Sequence, residues 1–276
     1  MYGKGLRRCD PARLSHRLHA LAHPVARAAY LAGLRGQAQL EPCQRTNQGG
    51  SSTCHTHSLI AAAWCALNAA GSPPPFVGSP RQLASCVYAA QQRPAPVPGA
   101  QMASLKDNGA DLQEDADALK AWGLAPIQAP TSDGRFSDVE NDSGDFPEAD
   151  PEQLTKAVQL DGEYAIPVDS NAPRVVAACL DAGVPVQVGT FVDTAFENLP
   201  ASQIAQPANT SDPNGGGHAL YISGYRTNAA GKLEFRVENS WGPGWCDNGA
   251  CWASEEWLTA CWEIFPVAVK LTGGAS

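Results

Sequence analysis

With 276 residues, 43% of them hydrophobic, the chain has material for a sizeable core, and its net charge of −9 argues against a nucleic-acid or acidic-membrane partner. No run of 18 apolar residues occurs, so no membrane span is expected. The basic start lacks a continuous apolar stretch, because His16, Arg17, His19, His23 and Arg27 interrupt it; no secretory signal is expected, and a cytoplasmic or assembly-associated setting is favoured over a secreted one.

Residues 1–40 carry seven Lys or Arg and one acid, Asp10. Leu14, Leu18, Leu21, Val25 and Ala29 recur at helical spacing and predict a helix over 10–36, broken or kinked at Pro24 and ended by Gly33 and Gly36. This basic extension reads most simply as a solvated surface, with a vestigial prosegment or a docking arm for a larger protein assembly as alternatives. Residues 41–53 form a polar loop, and a helix opens at about Cys54, with Leu59, Ile60, Ala63, Trp64 and Leu67 as its apolar stripe and Gly71 near its end. A shorter helix follows over Pro80–Gln91, then an extended linker at Pro94, Pro96 and Pro98. Another helix covers 111–122, with Leu112, Ala116 and Leu119 on one side, and an acidic loop covers 131–152. After a helix at 172–182 the pattern turns to strands: Val184–Val188, 218–225 after the loop ending in Gly215–Gly216–Gly217, and 233–238. In the last of these, Leu233, Phe235 and Val237 alternate with Glu234, Arg236 and Glu238, which predicts a half-buried antiparallel strand. The reading is α+β, with a helical lobe over 41–165 and a β-rich lobe over 166–276. Nine cysteines leave at least one unpaired; Cys246 and Cys251 flank a tight turn and read equally as a hairpin disulfide or as two free thiols.

Cys54 stands where a polar loop opens a helix, so the positive end of the helix dipole favours its thiolate, the nucleophile that acyl transfer needs. His218 follows three glycines and begins a strand, which makes it the candidate base. Asn239, at the end of the 233–238 strand, is placed to hold one ring nitrogen of His218 and leave the other for the thiol, with Trp241 shielding that bond. His55 and His57 beside Cys54 invite a metal reading, but residues so spaced do not share a helix face; no metal or cofactor is expected.

Three islands carry a resemblance to one family. Gln48–Gly49–Gly50–Ser51–Ser52–Thr53–Cys54, then Gly217–His218–Ala219, then Asn239–Ser240–Trp241–Gly242 with Gly244–Trp245 and Asn248–Gly249, occur in the order Cys, His, Asn and resemble the papain-like cysteine peptidases. Ser79–Cys86 also resembles the family's next helix, and the similarity spans roughly residues 41–265. The resemblance implies a two-lobed papain-like fold, with a helical lobe carrying the nucleophile helix and an antiparallel β-barrel-like lobe. It implies peptide hydrolysis through an acyl-enzyme, with Cys54 as nucleophile, His218 as base, Asn239 as orienter and Gln48 in the oxyanion hole. Gly49, Gly50, Gly217 and Trp241 are expected to line or shield the substrate path. Departures are His55 where the family has Trp, Ser51 where secreted members have a Cys that would pair with a residue like Cys86, and a Cys54–His218 separation of 164 residues against the usual ~130–150. Two further readings stay open: a papain-fold binding or structural module, and an amidase or acyltransferase on the same residues.

Overall fold

The structure is a computed structural model and describes residues 4–8, 18–43, 46–72, 78–92, 105–124, 158–162 and 164–271. Its elements in chain order are β1 (Leu18–His19), a 3-10 turn (Ala20–Ala22), α1 (Pro24–Ala32), β2 (Gln37–Gln39), α2 (Cys54–Ala69), α3 (Pro80–Gln92), α4 (Leu112–Trp122), β3 (Val158–Leu160), β4 (Tyr164–Ala165) and α5 (Ala172–Asp181). There follow β5 (Val186–Val192), α6 (Thr194–Glu197), β6 (Ile204–Ala205), β7 (Gly216–Thr227), β8 (Leu233–Glu238), β9 (Ala250–Ser254), α7 (Glu255–Thr259), β10 (Glu263–Pro266) and β11 (Val269–Leu271). The Pro94–Pro98 linker and the acidic loop at 131–152 lie outside the described residues.

The helix expected over 10–36 is shorter and differently placed. Within its described part, β1 and the 3-10 turn come first, and α1 starts at Pro24. Proline opens this helix instead of kinking it, because the first turn needs no N–H and the ring presets φ; His23 caps the turn by accepting from the Ala26 N–H.

α2 also differs from expectation. Thirteen of its sixteen residues are buried, so it is a core helix and not a half-exposed amphipathic one. Runs of alanine keep it thin enough to lie between β7 and the helices α3 and α4. α4 begins with a capping box in which the Asp111 carboxylate accepts from the Glu114 N–H and the Glu114 carboxylate from the Asp111 N–H.

The main sheet runs β10-β5-β7-β8-β9-β6, with β2 pairing along β7. β5 and β7 are antiparallel and set Thr190 opposite His218. β8 is not half-buried: Glu234 and Glu238 are only 6% and 1% exposed. β8 lies between β7 and β9, and its polar face is covered by ion pairs and hydrogen bonds: Arg226 and Asn228 hold Glu234, and the Ser223 hydroxyl donates to Glu238 at 2.6 Å. One core gathers α1, α5 and the sheet; a second gathers α2, α3 and α4; between them sits a small cluster of Leu6, Cys54, Leu112, Ala219 and Phe265. The turn between Cys246 and Cys251 forms, with Asp247 and Ala250 bridged, and both residues are free thiols like every cysteine among the described residues. Among the described residues no helix is long and apolar enough to cross a membrane.

Candidate active site

Cys54 is the first residue of α2 and is fully buried. What covers it is the chain's own start. Leu6 donates its N–H to the Gly217 carbonyl (3.2 Å), Arg7 donates to the Ala110 carbonyl (2.8 Å), and the Ala110 N–H donates to the Gly5 carbonyl (3.1 Å), so residues 5–7 lie extended between two edges of the site. The fit is tight. A Cβ on Gly217 would come within 2.2 Å of the Leu6 carbonyl oxygen, and one on Gly109 within 1.9 Å of the Gly5 oxygen. Leu6 fills the hollow formed with Leu112, Ala219 and Phe265, Arg7 pairs with both oxygens of Glu114 (2.6 and 2.9 Å), and Lys4 pairs with Glu197.

This cover decides the electrostatics. Burial pushes the Cys54 thiol up to about 11; backbone N–H groups of Gly5, Ala219 and His55 directed at the sulfur oppose this, and the Asp115 carboxylate adds to the rise. Burial thus disfavours the thiolate expected from the helix dipole, because a dipole does not offset the loss of all water. Burial likewise pushes His218 down to about 4, against the hydrogen bond that its ring donates to Asn239 and helped by the Lys4 charge. Near neutral pH both shifts favour the uncharged thiol and the uncharged imidazole.

The expected partnership of His218 and Asn239 is present: Nε2 lies 2.8 Å from the Asn239 Oδ1, which accepts. The other ring nitrogen, Nδ1, is buried with no hydrogen-bond partner among the described residues, so no hydrogen bond joins it to Cys54. Trp241 stacks on the imidazole, with ring centres 4.5 Å apart and planes 25° apart, and is itself held edge-on by Trp245 and Phe196.

Gln48 ties two chain segments together. Its backbone N–H donates to the Ser240 carbonyl, its Oε1 accepts from the Ser240 hydroxyl, and its Nε2 donates to the Ser51 carbonyl at 2.7 Å. The side chain is buried beside the loop that leads into Cys54. Gly49 adopts a φ of 59° in the tight turn that follows, and a Cβ on Gly50 would meet nothing within 4 Å. Ser51 packs as a hydrogen-bonding residue between the Gln48 carbonyl and the Thr53 hydroxyl, and Cys86 is a buried free thiol.

What lies behind Cys54 was not foreseen from the sequence. His55 is completely buried; its Nδ1 meets Asp115 Oδ1 at 2.5 Å and its Nε2 meets the Tyr88 hydroxyl at 3.3 Å. That hydroxyl donates to Asp107 (2.6 Å), whose other oxygen accepts from the Ser52 N–H (2.7 Å). The network thus runs from helix α4 back to the loop before Cys54. Burial pushes the Asp115 carboxyl up, and the His55 ring opposes that. His57 faces elsewhere, to the Thr46 hydroxyl at 2.8 Å, and burial pushes it down to about 3. The two histidines therefore do not share partners, and among the described residues no three His, Cys, Asp or Glu side chains come together as a metal site would require.

No protein-family model matches the chain. No curated protein matches it either. Solved structures do. Xylellain, a cysteine protease from Xylella fastidiosa, superposes with a TM-score of 0.74 at 20% identity, covering 99% of this chain and 97% of that one. Digestive procathepsin L 3 of the Tenebrio molitor larval midgut gives 0.62 at 17% identity over 96% and 75% of the two chains. The bromelain protease from Ananas comosus, in complex with the E64 inhibitor, gives 0.60 at 14% identity over 85% and 100%. On these likenesses and the topology above, the chain has the α+β, papain-like fold.

Proposed function

We propose that the chain is a cysteine peptidase working through Cys54, His218 and Asn239. The observation that carries this reading is the extended peptide backbone lying across the Cys54 sulfur: residues 5–7 are bound by the backbone groups of Ala110 and Gly217, as a peptide substrate would be. In this arrangement a backbone N–H from Gly5 faces the sulfur and burial favours the neutral thiol. Displacing it returns water to the site and allows proton transfer from Cys54 to His218.

In the reaction the sulfur attacks the substrate carbonyl carbon while His218 holds the proton. Asn239 keeps the ring aligned, and Trp241 stacks on it. The Cys54 backbone N–H and the Gln48 amide, once the latter turns from the Ser51 carbonyl, stabilise the oxyanion; one such donor is worth about 3–4 kcal/mol. The C–N bond breaks, His218 gives its proton to the leaving amine, and water then cleaves the thioester to release the carboxylate and restore the thiol. Gly49, Gly50 and Gly217 border the path.

The test is a peptide-library digest read by mass spectrometry, with the full chain beside Cys54→Ala. Shortened fragments from the parent chain alone are expected. Equal fragments from both would overturn the assignment of Cys54, and amine adducts in place of fragments would make the chain an acyltransferase.

A further inference from the structure

Lys4 sits in a built pocket. Its aliphatic stem runs over Gly216, where a Cβ would lie 3.1 Å from the Lys4 Cδ and 3.2 Å from its Cβ. Its ammonium reaches the Glu197 carboxylate at 2.5 Å and donates to the Asn214 carbonyl at 2.5 Å. The two charged side chains are only 10% and 18% exposed. The pocket's walls are fixed independently of Lys4. The Glu197 carbonyl accepts the Trp245 indole N–H at 3.1 Å, and Asp212 ties Thr194 to Asn214 by accepting from both backbone N–H groups.

The pocket's side of the sulfur is defined by chemistry. His218 must deliver its proton to the leaving nitrogen, so the substrate residues after the cut bond lie on the His218 side. Gly216 stands two residues before His218 on β7, and Glu197 is held by Trp245, which packs on Trp241 over the imidazole. Ala110 lies on the opposite side of residues 5–7 from Gly217.

We propose that Glu197, the Asn214 carbonyl and the bare surface of Gly216 form a subsite that takes a lysine or arginine side chain of the substrate within the two residues after the cut bond. The inference rests on the peptidase reading above. A glycine floor admits a long aliphatic stem, and a mostly buried carboxylate beside a carbonyl selects a cation. A neutral or acidic side chain there would leave a desolvated carboxylate without its counter-charge.

The test uses the full chain carrying Lys4→Ala, which vacates the pocket, and peptides differing only in having Lys, Gln or Glu after the cut bond. A kcat/KM for Lys over Gln of about tenfold or more is expected, falling toward unity when Glu197→Gln is added and turning toward Glu when Glu197→Lys is added. A Lys:Gln ratio that Glu197 substitutions leave untouched overturns the subsite and confines Glu197 to anchoring Lys4. Calorimetric binding of the same peptides to Cys54→Ala/Lys4→Ala makes the comparison without turnover. There a Lys preference lost with Glu197→Gln supports the subsite, and equal affinities overturn it. Absence of cleavage of every peptide falls on the peptidase reading alone.

Discussion

A buried imidazole one residue beyond Cys54 needs a partner for each ring nitrogen, and His55 finds them in Asp115 and Tyr88. Leaving a buried polar group without its partner typically costs about 1–3 kcal/mol, so Asp115→Ala, which strips the buried His55 Nδ1 of its partner, is expected to lower unfolding free energy by that amount in urea titration; an unchanged value would mean that the contact contributes nothing to stability. Asn239→Ala is expected to reduce kcat/KM by less than Cys54→Ala does, since Trp241 still stacks on His218 when the Asn239 hydrogen bond is gone; a loss as complete as that of Cys54→Ala would contradict its role as orienter. The candidate residues Cys54, His218, Asn239 and Gln48 stand out in the sequence because short motifs carry them, and of the contacts expected among them the His218–Asn239 hydrogen bond is present. Asp115 was legible in part: it falls on the same helix face as Leu112, Ala116 and Leu119, and a carboxylate on an apolar stripe demands a buried partner. The neutral state of Cys54 was not legible, because it depends on what lies over the sulfur and not on the residues beside it in sequence.

At the scale of elements, the decisive piece is the shortest. Residues 4–8, Lys–Gly–Leu–Arg–Arg, have no periodicity; their course is set by the edges offered by Ala110 and Gly217 and by the Leu6 hollow. That is why the charge pattern of residues 1–40 suggested a solvated surface or an outside partner, whereas Lys4 and Arg7 are paired with Glu197 and Glu114 of the same chain. Helices α2, α3 and α4 and strands β7 and β8 were readable from local pattern. The burial of both faces of β8 was not, because it follows from neighbouring strands. Gly217→Ala should displace the covering segment while leaving β7 in place, since the new methyl group meets the Leu6 carbonyl. Overpacking of this kind costs about 1–3 kcal/mol, so alkylation of Cys54, followed by intact mass and peptide mapping, should quicken roughly tenfold; an unchanged rate would show that residues 4–8 do not guard the thiol.

For the whole molecule, two deeply buried neutral histidines set an acid limit. His57 and His218 have folded pKa values of about 3 and about 4 against an ordinary 6.5. Between pH 6.5 and 4 the unfolded chain takes protons that the folded chain refuses, so the stability these groups contribute is present above 6.5 and is lost as pH falls. His57→Gln should flatten the dependence of unfolding free energy on pH in this window by about 1.4 kcal/mol per pH unit; parallel slopes for variant and parent would refute the neutral burial of His57. The most direct test of the central claim, that Cys54 is the nucleophile of a peptide-binding cleft, is to treat the folded parent chain and Gly217→Ala with a thiol-reactive peptide electrophile and map the adduct by mass spectrometry. One adduct is expected, on Cys54, forming faster in the variant. Folded chains modified only at other cysteines, with Cys54 untouched in both, would contradict it.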